Sequence, residues 1–198
     1  MNLSRLDKQI DFILEIDKLK SIYRTTKIIN KSRQENDAEH SWHLCMIACI
    51  LEEYSTFNDL DMLKIIKMLL IHDMAEIVSG DTYAFDIIRE KNKKKLEKHS
   101  FAKILSFLPQ EQAKEYFGLW DEFNACKTNE SKYAKCIDKI QPFLMDIYTN
   151  GETWIYGQIT KKQLTDYLSI LSEVFPILWG YILTKIDEAV YKGFLIED

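Results

Sequence analysis

Three of the four histidines, His40, His43 and His72, fall in the first 72 of 198 residues, close to a run of acids. His72 is followed directly by Asp73 at the end of the apolar stretch MLKIIKMLLI. A histidine and a charged carboxylate there are costly to bury unless they are paired, hydrogen-bonded or bound to a metal. The pair alone leaves two readings open: metal ligands, or a helix-end cap with Asp73 bonded to a nearby arginine. Asp138 adds a carboxylate inside a second apolar pattern, Ile137, Ile140, Phe143 and Leu144, and it too needs a cationic partner. Together His40, His72, Asp73 and Asp138 supply two imidazoles and two carboxylates from three segments of chain. That mixed nitrogen and oxygen set suits a divalent ion, Mn, Co, Mg, Zn or Fe, with positions left for water and substrate.

Two more acids follow at short range. Glu76 lies four residues after His72, which predicts a place one helical turn along on the same face. Asp81 follows Gly80 in a loop. A metal-activated water needs a proton acceptor, and an alkoxide leaving group needs a donor. Glu76 and Asp81 are placed to serve, and either is a candidate general acid. Taken singly, each also reads as a structural carboxylate or a turn-forming Gly-Asp. His43, three residues after His40, can face the same way as a ligand or substrate contact. Arg33 can bind phosphate or pair with Glu39.

Helices must bring these residues together. The spacing of Leu6, Ile10, Ile13, Leu14 and Leu19 predicts a helix over about 4–21. The polar and basic stretch 25–36 reads as a loop. Asp37 is a good N-cap for a helix carrying His40 and an apolar face of Leu44, Ile47, Ala48 and Leu51. A third helix starts near Asp59 and runs into His72, Asp73 and Glu76. It is apolar on more than one side, as a central buried helix would be. A lysine-rich helix follows over roughly 85–108, and the charge run EKNKKKLEK at 90–98 reads as its solvated face. Pro109 begins another helix, Asn129 caps a long one through Ile147, Thr160 caps a further one, and Pro176 starts the last. Six Gly and three Pro are too few for a turn-rich β protein of this length. The expectation is an all-α, single-domain helical bundle over 1–198 with the metal between helices, a usual place for such ions.

The runs RQENDAEHSWHL, LLIHDMAEIVSGDT and KCIDKIQPF resemble the HD-domain metal-dependent phosphohydrolase superfamily, and its 5′-deoxynucleotidase branch in particular. The likeness spans about 20–148, with helices over about 160–192 added after the core. It implies His40, His72, Asp73 and Asp138 as metal ligands and Glu76 and Asp81 as catalytic acids, with Asp81 and Thr82 touching the nucleotide. It also implies an arginine that orients the phosphate, for which Arg24 is the counterpart. The branch usually continues from that arginine with tryptophan and proline, whereas this chain reads Arg24-Thr25-Thr26. The family motif uses only the first histidine, which leaves His43 as a candidate substrate contact.

The net charge of −5 argues against nucleic-acid and anionic-membrane partners, which reward a basic surface. It does not exclude a small anionic substrate, because a metal supplies positive charge locally. Four cysteines with no CxxC pair read as reduced thiols of a cytoplasmic protein. The start, MNLSRLDKQIDF, has no apolar signal core, and the run from Leu44 to Leu51 is too short to span a bilayer. The expected activity is that of a phosphomonoester hydrolase, a 5′-nucleotidase acting on (deoxy)nucleoside monophosphates, with metal-activated water attacking phosphorus. The alternatives are an HD-type phosphodiesterase or nucleoside triphosphate hydrolase, or a metal-binding helical regulatory module with little turnover. A triphosphate site calls for more basic residues, and a regulatory module needs neither Glu76 nor Asp81. Trp179, Tyr181 and Phe194 near the C-terminus form either a homodimer face or part of the chain's own core.

Overall fold

A computed structural model of the chain describes residues 4–197 except 82, 84 and 86, and only the backbone course of 87–95. Ser4 and Asp7 form a capping box that starts α1 (Arg5–Ile16), and a tight 3-10 turn (Asp17–Ser21) buries Leu19. The segment expected as a loop is instead a small antiparallel hairpin, β1 (Tyr23–Lys27) with β2 (Gln34–Asn36). Its strands are short and bulged and lack apolar alternation. Their pairing depends on packing against the helices, which local pattern does not reveal.

The cap of α2 (Asp37–Leu51) is Asn36, one residue earlier than expected. Asn36 accepts from the Glu39 N–H at 3.0 Å, and the Glu39 carboxylate accepts from the Asn36 N–H at 3.3 Å. Relieved of capping, Asp37 turns inward and is fully buried. Asp61 caps α3 (Met62–Ile71), which ends before His72 rather than running through Glu76. The His72 Nδ1–H donates back to the Leu69 carbonyl at 2.8 Å, and the Trp120 indole N–H takes the His72 carbonyl at 3.2 Å. Both compete with the helical ladder, so the chain tightens into i→i+3 bonds and resumes as the single turn α4 (Glu76–Ser79). Gly80, at φ 73°, ends that turn with a backbone that other residues rarely adopt.

Beyond it lie α5 (Ile87–Leu105), α6 (Gln110–Ala125) and the long α7 (Asn129–Tyr148), capped by Thr128. Gly151 turns the chain at φ 65°, where an added Cβ would meet the Phe194 Cβ at 2.6 Å. Four short or terminal helices follow: α8 (Glu152–Gly157), α9 (Lys161–Leu168) capped by Thr160 as expected, α10 (Leu171–Val174) and α11 (Pro176–Tyr191). Trp179 and Phe194 pack on the main core, and Tyr181 is exposed.

The described chain is all-α apart from the hairpin. Helices α2, α3 and α7 pack on one another, and Leu44, Ile65, Met68, Leu69, Ile137 and Ile140 are almost completely buried among them. A second buried cluster joins α1, α5 and α6 through Phe12, Phe101 and Trp120. Among the described residues no helix is long and apolar enough to cross a membrane.

Candidate active site

Packing of α2, α3 and α7 converges the four expected ligands. His40 lies one turn into α2 with no exposed surface, His72 and Asp73 follow the end of α3, and Asp138 sits midway along α7. His72 Nε2 is 3.0 Å from Asp73 Oδ2 and 3.3 Å from Asp138 Oδ1. His40 Nε2 is 3.4 Å from Asp138 Oδ1 and 3.9 Å from Asp73 Oδ2.

The other nitrogen of each ring is held. His40 Nδ1–H donates to Gln141 Oε1 at 2.9 Å, and the Gln141 amide in turn donates to Glu35 at 2.7 Å. His72 Nδ1–H donates to the Leu69 carbonyl, and His72 Nε2 is buried without a hydrogen bond. In the neutral rings both Nε2 lone pairs therefore face carboxylate oxygens, a repulsive arrangement that a shared cation relieves. The field agrees. Burial alone would push the His72 imidazole down, but Asp73 and Asp138 outweigh it and raise it to about 10. Burial of Asp73 is likewise outweighed by His72 and Arg24, which hold its carboxyl well below the usual range. The residues present fit a divalent cation of the borderline or hard kind.

Arg24 Nη1 donates to Asp73 Oδ2 at 2.8 Å and lies 3.4 Å from Asp37 Oδ1. The two readings of the His-Asp doublet are thus not exclusive, because one oxygen of Asp73 faces both an arginine and a histidine. Burial and the neighbouring Asp73 push the Asp37 carboxyl up to about 7. Glu76 is pushed up further by burial and by Asp73, Asp81 and Asp37, with Arg24 opposing. Because α3 breaks, Glu76 does not sit one turn along the same helix. It opens α4 and still lines the cavity, with Oε2 buried and free of hydrogen bonds.

Arg24, His72, Asp73, Glu76, Asp81 and Asp138 line one cavity of about 330 Å³, within the usual range of small-ligand sites. Lys135 and Lys139 also line it and were missed in the sequence. Their Nζ atoms sit 3.9 Å over the Phe123 ring and 3.5 Å over the Tyr167 ring. Gln141 was missed as well, although its place three residues after Asp138 puts it on the same face of α7. Two expected substrate contacts lie elsewhere. Arg33 forms a two-pronged pair with Glu39 at 2.6 and 2.8 Å, and it does not line the cavity. His43 Nδ1 accepts from the Gln141 amide at 3.3 Å, so it braces that side chain and does not face the cavity. Thr82 lies outside the described residues.

Asp146, also at the cavity wall, accepts from Thr153 Oγ1–H at 2.7 Å and Thr153 N–H at 3.3 Å. Burial pushes its carboxyl up to about 6. The folded state therefore keeps this proton when the unfolded chain has lost it, and stability falls as pH rises from about 4 to about 6. Asp146→Asn is expected to remove that slope, worth about 3 kcal/mol across the interval. Thermal unfolding of variant and wild type over this pH range checks it, and parallel curves would show that Asp146 titrates normally.

A family model described as HD domain matches residues 16–179. The 5′-deoxynucleotidase HDDC2 of Dictyostelium discoideum is 32% identical over 144 residues, which cover 70% of this chain and 76% of that one. The protein of the same name from Homo sapiens is 26% identical, over 68% of this chain and 65% of its own length. Among solved structures, a protein described as a predicted metal-dependent phosphohydrolase from Magnetospirillum magnetotacticum MS-1 superposes with a TM-score of 0.91. It is 39% identical, and the match covers 97% of this chain and 96% of that one.

Proposed function

This chain belongs to the HD-domain family, and from that premise we propose that it is a metal-dependent 5′-nucleotidase that releases phosphate from (deoxy)nucleoside monophosphates. The observation that carries the reading is the meeting of two oriented imidazoles and two carboxylates beside a cavity whose lining includes the further acids Glu76 and Asp81. His40, His72, Asp73 and Asp138 would hold a divalent cation, Mn, Co, Mg, Zn or Fe. When bound, that cation activates water and neutralises phosphoryl charge. Gln141 and the Leu69 carbonyl keep both imidazoles turned with Nε2 inward. Arg24 presents its guanidinium to the cavity and orients the phosphate, and Lys135 and Lys139 add positive potential beside it. Glu76, whose surroundings favour its protonated form, holds a proton for the leaving oxygen. Asp81 lines the same cavity and is the other candidate acid.

The test is phosphate release from nucleoside mono- and triphosphates and from a phosphodiester, with and without EDTA and with metals added back. Release from monophosphates that EDTA abolishes and a divalent ion restores is the expected result. Release confined to the triphosphates or the diester would move the chain to those activities. Metal binding without turnover would make it a regulatory module.

A further inference from the structure

Several buried polar atoms at the cavity make no hydrogen bond. Arg24 Nε, His72 Nε2 and Glu76 Oε2 belong to the charged cluster already described. Thr26 Oγ1 does not. It is an uncharged hydroxyl on a side chain 7% exposed, and it too has no partner. A buried hydroxyl left without a hydrogen bond is unfavourable, which makes this atom a standing demand for a donor or acceptor from outside the chain.

The hairpin explains why the hydroxyl lies here. The pairing of β1 with β2 slips between Tyr23 and Lys27, and bulges of this kind re-aim side chains beside active sites. Arg24, Thr25 and Thr26 consequently all line the cavity, although strand alternation would send Thr25 to the other face. Two residues of strand place Thr26 roughly 6 Å along the wall from Arg24. Part of the lining is aromatic: the Tyr83 and Phe85 rings are 5.6 Å apart, and those of Phe85 and Tyr167 are 5.1 Å apart. Aromatic rings beside an unpartnered hydroxyl suit a ring-bearing organic group that carries its own hydrogen-bonding edge.

We propose that Thr26 is a specificity-determining residue whose hydroxyl hydrogen-bonds the nucleoside portion of the substrate, at a sugar hydroxyl or a base edge. This rests on the nucleotidase reading above. Thr26→Val keeps the shape and removes the hydroxyl, and Thr26→Ser keeps the hydroxyl. For the valine variant, KM for the four deoxynucleoside monophosphates is expected to rise about fivefold to tenfold more than KM for p-nitrophenyl phosphate, which has no nucleoside. The serine variant should recover most of the difference. With 2-deoxyribose 5-phosphate, the same rise assigns the contact to the sugar, and no rise assigns it to the base. Thermal unfolding without substrate should be unchanged or shifted upward in Thr26→Val, since the hydroxyl gives up no bond. Equal effects on nucleotides and p-nitrophenyl phosphate, or a fall in Tm, would overturn the proposal and make Thr26 structural. A wild-type protein that hydrolyses p-nitrophenyl phosphate and no nucleotide would instead defeat the nucleotidase reading itself.

Discussion

Asp73→Ala is expected to abolish metal-dependent phosphate release and to leave the protein without stoichiometric metal. One carboxylate oxygen of Asp73 stands 2.8 Å from Arg24 Nη1, 3.0 Å from His72 Nε2 and 3.9 Å from His40 Nε2. Its removal takes one of two carboxylates from the ligand set and frees Arg24 from its nearest anion. Loss of a partner that merely orients a ligand costs about ten- to a hundredfold in metal affinity or activity, and loss of the ligand itself should exceed that. His72→Ala is expected to behave alike, because it removes the imidazole whose buried Nε2 stands between Asp73 and Asp138. Elemental analysis beside the phosphatase assay separates the outcomes. Full metal content and full activity in either variant would place the cation elsewhere.

The second large effect belongs to Glu76. Burial and the surrounding carboxylates of Asp73, Asp81 and Asp37 raise its pKa and so favour the neutral carboxylic acid. Glu76→Gln preserves size and neutrality, and the fold and the metal should persist. What disappears is a transferable proton, and losing acid–base catalysis typically costs about a hundred- to ten-thousandfold in rate. That corresponds to about 3–5 kcal/mol of barrier. If Glu76 protonates the leaving oxygen, p-nitrophenyl phosphate should suffer far less, since p-nitrophenolate leaves without a proton. Equal defects on nucleotide and p-nitrophenyl ester would shift that role to Asp81. A variant that had lost its metal would make Glu76 a ligand.

Residue type and period made the helices legible. Continuous apolar faces mark α2, α3 and α7, and Thr160 and Pro176 announce the starts of α9 and α11. The histidine and acid doublets were legible for a different reason. Groups that expensive to bury stand out on apolar helices whatever the fold. Where hydrogen bonds between distant residues compete with local ones, the sequence is silent. The break after Ile71 depends on Trp120, some fifty residues away, taking the His72 carbonyl. The hairpin is equally non-local, held by packing more than by strand propensity.

The helical class, the separate stretches that carry His40, His72–Asp73 and Asp138, and a donor set suited to a divalent cation can all be read along the chain. How those donors meet and what surrounds them depends on packing. It turned Asp37 from a cap into a buried acid, paired Arg33 with Glu39, and set Gln141 behind His40. Through the bulge in β1 it also brought both Thr25 and Thr26 to the cavity wall. The physical reason is that a pattern along one helix reports which face is buried, whereas a hydrogen-bond partner is chosen by whichever polar group the packing brings within about 3 Å.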